Sequence, residues 1–164
     1  MGLDEQVDVV DAREWFDLFE ERFGIPTEVF DDYAVFRPNK KALNIVAGDH
    51  EPPPAPVPDA IGVRFIRTKM RFPKMTTAAA MMFGNHATRN VLSLSQSEAD
   101  CYLSRTTVEL TETQLEHCTG TGYVIVTHRD VTLGVGLLFR DDAGGRLRSM
   151  YPKAWALPDG ESAF

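Results

Sequence analysis

Apolar residues at helical spacing near the start of the chain predict an amphipathic helix. They are Trp15, Leu18, Phe19 and Phe23. Asp11, with Glu14 three residues later, predicts a capping box at the start of this helix, and Gly24 and Pro26 predict its end. We interpret the aromatic stripe as part of the core, because an apolar helix face needs a partner to cover it.

Three apolar segments then favour strands, at residues 33–36, 43–46 and 61–66. A turn-like sequence at 37–40 separates the first two, and five prolines within 51–58 predict an exposed, stiff loop. One helix followed by about three strands predicts a small α/β domain over residues 1–70.

Short helices and strands are predicted for the middle of the chain. Thr76-Thr77 is suited to cap a helix over residues 78–83, which Gly84 would end. Ser95 and Glu98 form a second capping box, ahead of a helix over residues 99–103. Strand propensity is highest at 91–94 and 107–110.

Residues 122–151 show the clearest strand pattern. Two apolar runs flank a tight turn at Arg129-Asp130, and a Gly-rich turn at 141–145 leads into a third strand. Gly134 and Gly136 within a strand indicate a bulge, or the close approach of another backbone or a ligand. A three-stranded meander preceded by other strands predicts a small mixed barrel or sandwich.

The charges are distributed unevenly along the chain, so the net charge of −7 does not describe every surface. Residues 1–59 carry 14 acids and 5 bases, whereas residues 60–97 carry no acid and six bases. Those six bases are Arg64, Arg67, Lys69, Arg71, Lys74 and Arg89. Residues 143–158 are again free of acid and hold Arg146, Arg148 and Lys153. A fold that joins these two basic islands creates one positive face, which suits nucleic acid; the alternative is that they are solvated strand edges.

Composition indicates the cellular environment in which we expect the protein. Many acids, with five lysines against 12 arginines, suggest a protein made for a high-salt cytoplasm. The chain shows no apolar run of membrane-spanning length and no signal-peptide pattern, so we expect a cytoplasmic protein without a membrane partner. Cys101 and Cys118 lack CxxC spacing, which excludes a zinc ribbon and makes ordinary thiols the expectation.

No catalytic or cofactor pattern stands out. The four histidines, His50, His86, His117 and His128, lack a second ligand at metal-binding helical spacing, so no metal site is expected. No GxSxG elbow is present, and Gly120-Thr121-Gly122 leads into a strand instead of a helix, so no cofactor is expected. His86 stays open between a structural role and a contact with a ligand.

Three segments in order resemble a known family: 74–91, with its FGNHATRNV stretch, then 122–137, then 147–153, which ends in Tyr151-Pro152-Lys153. Together they resemble the PUA domain at the C-terminus of the NOL1/NOP2/Sun-type RNA cytosine-C5 methyltransferases. Residues 22–25 and 63–67 look similar to the small domain that precedes that PUA domain. The methyltransferase domain of those enzymes has no counterpart here, and neither do their catalytic cysteine motifs.

The resemblance implies an α+β fold in which a small α/β domain at 1–70 precedes a PUA-like mixed β-barrel at 71–158, with a loose tail at 159–164. It also implies a non-catalytic RNA-binding protein that binds structured rRNA or tRNA in ribosome biogenesis or RNA modification. The expected RNA-binding residues are Lys69, Arg71, Lys74, His86, Arg89, Asn90, Arg148 and Lys153. Tyr151 is open between stacking on a base and packing in the core, and Arg89 between RNA and an acid of the fold.

Two other classes of function stay open. An accessory subunit would bind a separate RNA methyltransferase or ribosome assembly factor through the acidic N-terminal domain, and it requires an exposed apolar patch on residues 1–50. An enzyme would require a deep pocket with convergent polar groups, His86 among them.

Overall fold

The computed structural model describes residues 2–164. Four α-helices follow one another along the chain: α1 (Arg13–Phe23), α2 (Thr77–Phe83), α3 (Gln96–Leu103) and α4 (Glu112–Leu115). Short 3₁₀ helices connect some elements, among them Gly84–His86 directly after α2 and Lys153–Trp155 near the end of the chain. The predicted strands are confirmed with shifts of up to four residues at their ends, and the two-residue strand Lys74–Met75 was not predicted.

The first sheet is antiparallel and has four strands in sequence order. They are β1 (Tyr33–Asn39), β2 (Ala42–Ala47), β3 (Val63–Arg67) and β4 (Lys74–Met75). The N-terminal segment pairs with the edge strand β1, where Val9 bridges to Phe36 and the backbone N–H of Val10 donates to the carbonyl oxygen of Val35 at 2.9 Å. The solvent-facing side of β3 and β4 carries charged side chains.

The second sheet is mixed, in the order β5-β7-β8-β9-β6. Its strands are β5 (Val91–Ser93), β6 (Val108–Leu110), β7 (Gly122–His128), β8 (Val131–Asp141) and β9 (Gly144–Ser149). β7, β8 and β9 form the predicted meander, and β5 joins β7 in parallel. The sheet curls into a half-barrel, which confirms the α+β prediction. Arg129 and Asp130 both have positive φ, 48° and 62°, as a primed hairpin turn requires.

Two buried clusters hold the fold together, one on each side of the second sheet. The first is aromatic: the Phe30 ring lies 4.8 Å from Phe83 and 5.7 Å from Phe65. Ile125 and Val135 of the second sheet belong to this same cluster. The other cluster lies against α3 and includes Tyr102, Leu138 and Leu147, all fully buried.

Helix α2 ties the two sheets together. Ala79, Ala80 and Phe83 are buried, and the helix packs on both β3 and β8. Thr76 caps it as predicted, with its hydroxyl accepting from the N–H of Ala79 at 3.2 Å. The first sheet extends to Met75, four to five residues beyond the expected end of the first domain, so the division at 70/71 stays a prediction.

Three local predictions were wrong or incomplete. Asp11 does not form a capping box: α1 begins after Ala12, and the Asp11 carboxylate binds the backbone and guanidinium of Arg13 at 2.6–3.1 Å. Gly84 follows α2 with right-handed φ (−62°), because the chain tightens there into a 3₁₀ turn instead of reversing. Helix α4 was missed, although Thr111 and Gln114 form its capping box. Within residues 2–164, no helix has the length and apolar character to cross a membrane.

Candidate nucleic-acid interface

A β-bulge in β3 places two arginines on the same open face of the first sheet. Leu43 lies opposite Ile66 but Asn44 lies opposite Arg64, so Phe65 is an extra residue in β3. Phe65 and Ile66 are therefore both buried, while Arg64 and Arg67 are both exposed. Without the bulge, residues three apart on a strand would point to opposite faces.

Two lysines at the β1–β2 turn extend this positive face. Lys40 and Lys41 are exposed, and the carbonyl oxygen of Lys41 accepts from the backbone N–H of Thr68 at 3.0 Å, directly after β3. Together with Asn39, these lysines and the two arginines line an open depression of about 710 Å³. We call this group the β3 patch: Lys40, Lys41, Arg64 and Arg67.

A second group of cations lies on the second sheet. Arg146 and Arg148 alternate with buried residues along β9 and share its exposed face. Arg105 joins them because its backbone turns through φ 63° after α3, and its guanidinium donates to the carbonyl oxygen of Tyr151. These arginines line an open depression of about 430 Å³ together with Thr107, Phe139 and Ser149. We call this group the β9 patch: Arg105, Arg146 and Arg148.

Lys74 connects the two patches. It lies directly opposite Arg67 on the neighbouring strand, and it is half-buried. Burial lowers the pKa of the Lys74 ammonium, and the charges of Arg67 and Arg105 lower it further. The charge of Arg105, which lies outside both basic islands of the sequence, thus acts on Lys74 of the first sheet. Whether the two islands form one positive face stays a prediction.

Carboxylates neutralise little of this surface. Among residues 2–164, ion pairs within 4.0 Å join Arg13 to Asp11 and Arg140 to Glu112, and neither involves the two patches or Lys74. Glu109 is the acid to note, since it lies opposite Arg146 in the β6–β9 register, but the two side chains form no ion pair. The cations therefore present unpaired charge to solvent.

Aromatic side chains border the β9 patch. Phe139 lies opposite Arg146 and is 37% exposed. Trp155 is 54% exposed and meets the ring of Tyr151 edge-on at 6.1 Å. Tyr151 is half-buried and its ring also lies 5.7 Å from that of Tyr102, so it packs against the core, and Trp155 is the ring with more surface to offer a base. Lys153 is exposed in the same 3₁₀ helix as Trp155.

Asn90 is placed inside the fold and not on the positive surface. It is 1% exposed, and its Nδ2 donates to the carbonyl oxygen of Arg22 at 2.6 Å and to Oγ1 of Thr119 at 3.0 Å. Its Oδ1 accepts from the backbone N–H of Thr119 at 2.9 Å. The residue holds a positive φ of 54°, which Asn tolerates better than most residues. The amide thus joins the end of α1 to the loop before β7.

Arg89 and His86 lie at the end of α1 and α2, apart from the patches. The Arg89 guanidinium donates from Nε to the carbonyl oxygen of Glu21 at 2.9 Å and from Nη2 to that of Glu20 at 2.7 Å. These hydrogen bonds satisfy the last carbonyls of α1. Within the fold, Arg89 is therefore bound by backbone oxygens and not by an acidic side chain. His86 is exposed on the 3₁₀ helix after α2.

Lys69 and Arg71 are exposed in the loop between β3 and β4. The Arg71 guanidinium lies 5.5 Å from the centre of the Phe72 ring, a cation–π distance. This loop follows Arg67 and precedes Lys74 in the chain, but neither side chain lines the depression of the β3 patch. Of the residues expected to bind RNA, Arg148 belongs to the β9 patch, and Lys74 lies opposite Arg67 of the β3 patch. Lys69, Arg71 and Lys153 are exposed outside both patches, and His86, Arg89 and Asn90 lie apart from them.

Sequence reasoning missed several members of the positive surface. Arg146 was noticed only as part of a basic island, although its spacing of two from Arg148 on a strand marks a shared face. Predicting that Arg64 and Arg67 share one face required knowledge of the bulge in β3. Arg105 follows α3 in an acid-rich stretch and carries no sequence signal, since only the fold brings it to β9.

Comparison with known families identifies the second half of the chain. Residues 89–157 match the family model for the PUA domain of the methyltransferase RsmF. The resemblance to a methyltransferase PUA domain is therefore confirmed for this segment, which contains all five strands of the curled sheet. The match does not reach the first sheet, so the resemblance of the preceding part to a small pre-PUA domain stays a prediction. No curated protein matches the chain.

PUA domains are generally RNA-binding and not catalytic. The match thus supports an RNA-binding role for this part of the chain. Within the matched segment, the β9 patch is a positive surface of the kind that phosphate requires.

Proposed function

We propose that this protein binds structured RNA, either rRNA or tRNA, and acts without catalysis in ribosome biogenesis or RNA modification. The observation that carries the proposal is the convergence of Arg105, Arg146 and Arg148, free of ion pairs, over one open depression within the PUA segment. Lys74 adds a fourth cation, whose pKa the charge of Arg105 helps to lower.

The chemistry of these side chains suits an RNA backbone. A guanidinium presents a planar fork of donors that matches phosphate oxygens, and it also stacks on bases. Arg146 and Arg148 are two residues apart on one strand, so their Cα atoms are about 6.5–7 Å apart, a spacing close to that of successive phosphates in an RNA strand. Phe139 lines the depression of the patch, and Trp155 packs on Tyr151, whose carbonyl oxygen accepts from Arg105. Both rings are exposed, so an unpaired base can stack on them.

The remaining expected residues take different roles in this proposal. Lys69, Arg71 and Lys153 contact RNA at the margins, where their long side chains reach from exposed loops. Arg89 and Asn90 stabilise the fold instead of contacting RNA, because their polar groups hold the end of α1 against neighbouring segments. His86 lies on a separate surface and enters only if the RNA extends past α2.

The net charge of −7 does not oppose the proposal. Acids concentrate in residues 1–59, and exposed carboxylates beyond the Debye length of about 8 Å are largely screened at physiological salt. An acidic remainder also repels RNA from the other surfaces, which favours one binding orientation.

The test compares two double variants with the same loss of charge. Arg146→Gln/Arg148→Gln removes two cations of the β9 patch, and the control Arg13→Gln/Arg129→Asn removes two exposed arginines outside both patches. Asn is chosen at 129 because of the positive φ there. Affinity is measured by fluorescence anisotropy with an unmodified tRNA transcript and with hairpins of rRNA sequence, over a range of salt concentrations.

We expect the β9 variant to bind about tenfold more weakly than the control, and its salt dependence to fall by about 0.7–0.9 in log–log slope for each lost phosphate contact. Equal affinity of the two variants, or no binding by the wild type above that of an acidic control protein, would contradict the proposal. Crosslinking in cells followed by sequencing then identifies the RNA.

The accessory-subunit alternative required an apolar patch on the first fifty residues. Among residues 2–50, the exposed large apolar side chains are Val9 and Leu18, at 44% and 37%. Two such residues fall short of the contiguous patch that marks a stable docking surface. RNA binding is therefore the function that the geometry supports better.

A further inference from the structure

The β3 patch belongs to a part of the chain that the PUA match does not cover, and it is as free of carboxylate partners as the β9 patch. We propose that it forms a second phosphate-binding surface, continuous with the β9 patch through Lys74, so that one RNA is bound across both sheets. This inference rests on the proposed RNA binding and extends it to the first sheet.

Continuity follows from the order of the cations. Lys40 and Lys41 share a depression with Arg64 and Arg67, and Arg67 lies opposite Lys74. Lys74 is three residues before Thr77, whose side chain packs beside the Tyr102 hydroxyl over Gly134. The Tyr102 ring lies 5.7 Å from that of Tyr151, whose carbonyl oxygen accepts from Arg105, and Arg105 shares the next depression with Arg146 and Arg148. Eight cations thus lie along one path from the β1–β2 turn to β9.

The local backbone keeps the cations of this row exposed, and their mutual repulsion destabilises the fold. A regular strand would turn either Arg64 or Arg67 towards the core, and the bulge at Phe65 exposes both. Arg67 and Lys74 then lie opposite one another, and like charges in that position are destabilising. A polyanion that runs across the strands would relieve this repulsion, which is the effect expected of a phosphate backbone.

Two features of the surface favour RNA over an acidic protein segment as the occupant. Both depressions are open and lack the large apolar side chains that anchor protein interfaces, apart from Phe139. The surface also continues directly into the PUA segment, whose domain type is generally RNA-binding. Binding of an acidic peptide is kept as an outcome of the test.

The experiment uses the full chain and three double variants with equal loss of charge. They are Lys41→Gln/Arg64→Gln in the β3 patch, Arg146→Gln/Arg148→Gln in the β9 patch, and the control Arg13→Gln/Arg129→Asn. Arg67 and Lys74 are left intact, so the connection between the patches is kept. The probes are RNA hairpins of increasing stem length, titrated at several salt concentrations, and thermal unfolding verifies that each variant is folded.

On the longer hairpins, we expect the β3 variant to bind about tenfold more weakly than the control, with the salt slope reduced by about 0.7–0.9 per lost contact. On the shortest hairpins that still bind, only the β9 variant should lose affinity, because such an RNA does not reach the first sheet. This dependence on length separates a second contact surface from a general effect of charge.

The two proposals fail in different ways. If the β3 variant equals the control at every length while the β9 variant is weakened, the inference is overturned and RNA binding through the PUA segment stands. If neither variant differs from the control, both proposals fall. If the β3 variant loses affinity for a polyglutamate peptide but not for any RNA, the surface serves an acidic protein and the inference is wrong.

Discussion

Arg67 and Lys74 lie directly opposite one another on β3 and β4, and neither forms an ion pair with a carboxylate of residues 2–164. Lys74 is also half-buried and forms no hydrogen bond through its ammonium to any of residues 2–164. Burying part of an ammonium and placing it opposite a guanidinium both cost free energy. A fold that keeps such a pair is expected to use it for a ligand.

Replacing Lys74 with Met is therefore expected to stabilise the protein and to weaken RNA binding. Removing one of two opposed like charges should raise the free energy of unfolding by about 0.5 kcal/mol, a typical value for a cross-strand pair. Loss of a central cation should weaken RNA binding about fivefold at physiological salt. Urea denaturation and anisotropy measure the two quantities on the same samples.

The matched control is Lys153→Met, at an exposed position outside the opposed pair. It should leave the unfolding free energy unchanged. A lower stability of the Lys74→Met variant would show that the ammonium has a structural role instead, and would contradict the argument.

The pKa of Lys74 gives a second, independent test of the same environment. Burial, then Arg67 and Arg105, lower it, so the folded state holds this proton less firmly than the unfolded chain does. Stability should consequently rise with pH between the folded and the unfolded pKa of Lys74, since the unfolded state binds more protons in that window. Phosphates of bound RNA have the opposite effect and should raise this pKa.

NMR of the protein with ¹³C-dimethylated lysines follows each of the five lysines as pH increases. We expect the Lys74 resonance to titrate below the usual range of a lysine. Arg67→Gln and added RNA should each move that titration upwards. A Lys74 titration in the usual range that Arg67→Gln does not move would contradict this prediction.

Much of the fold was predictable because it depends on local signals. Gly24 ends α1 in the left-handed conformation at φ 67°, and Ser95 and Glu98 form the capping box of α3. The meander followed from alternating apolar residues and a turn whose two residues have positive φ. Helix α4 is four residues long, and so short a helix has too little periodicity to be recognised.

The positive surface was only partly predictable, because it depends on long-range pairing. The sequence identified the basic islands, but a bulge decided that Arg64 and Arg67 share a face. The sequence also suggested Asn90 as an RNA contact, whereas in the fold its side-chain amide forms internal hydrogen bonds. The sequence alone does not distinguish a ligand contact from a buried hydrogen bond, since a polar side chain near an arginine suits both roles.

Asn90 should accordingly matter for stability and not for RNA binding. Replacement by Ala leaves the carbonyl of Arg22 and the N–H of Thr119 without these partners and places Ala at φ 54°. We expect a loss of about 3 kcal/mol in unfolding free energy, of which about 1 kcal/mol is backbone strain. Asn90→Gly removes the hydrogen bonds without that strain, so it should lie between Ala and the wild type.

The measurement is urea denaturation, followed by RNA titration of the Gly variant at a temperature where it is folded. Unchanged RNA affinity is expected. A clear loss of affinity in a fully folded Asn90→Gly variant would return Asn90 to the RNA-binding surface.

Close packing at Gly134, in the middle of β8, gives the last prediction. The hydroxyl of Tyr102 donates to the carbonyl oxygen of Val135 at 2.9 Å and lies directly over Gly134. A Cβ at position 134 would be 2.5 Å from that hydroxyl, so Gly134→Ala should cost about 2–3 kcal/mol of stability. Tyr102→Phe alone should cost about 1 kcal/mol for the lost hydrogen bond.

Combining the two substitutions should cost less than their sum, because the phenyl ring lacks the oxygen that meets the new methyl group. Gly120→Ala is the control: its φ is 60°, and no atom lies within 4 Å of the added Cβ, so only the backbone strain of about 1 kcal/mol is expected. Urea denaturation of the single and double variants measures the coupling. Additive losses would mean that the Tyr102 hydroxyl does not lie over Gly134.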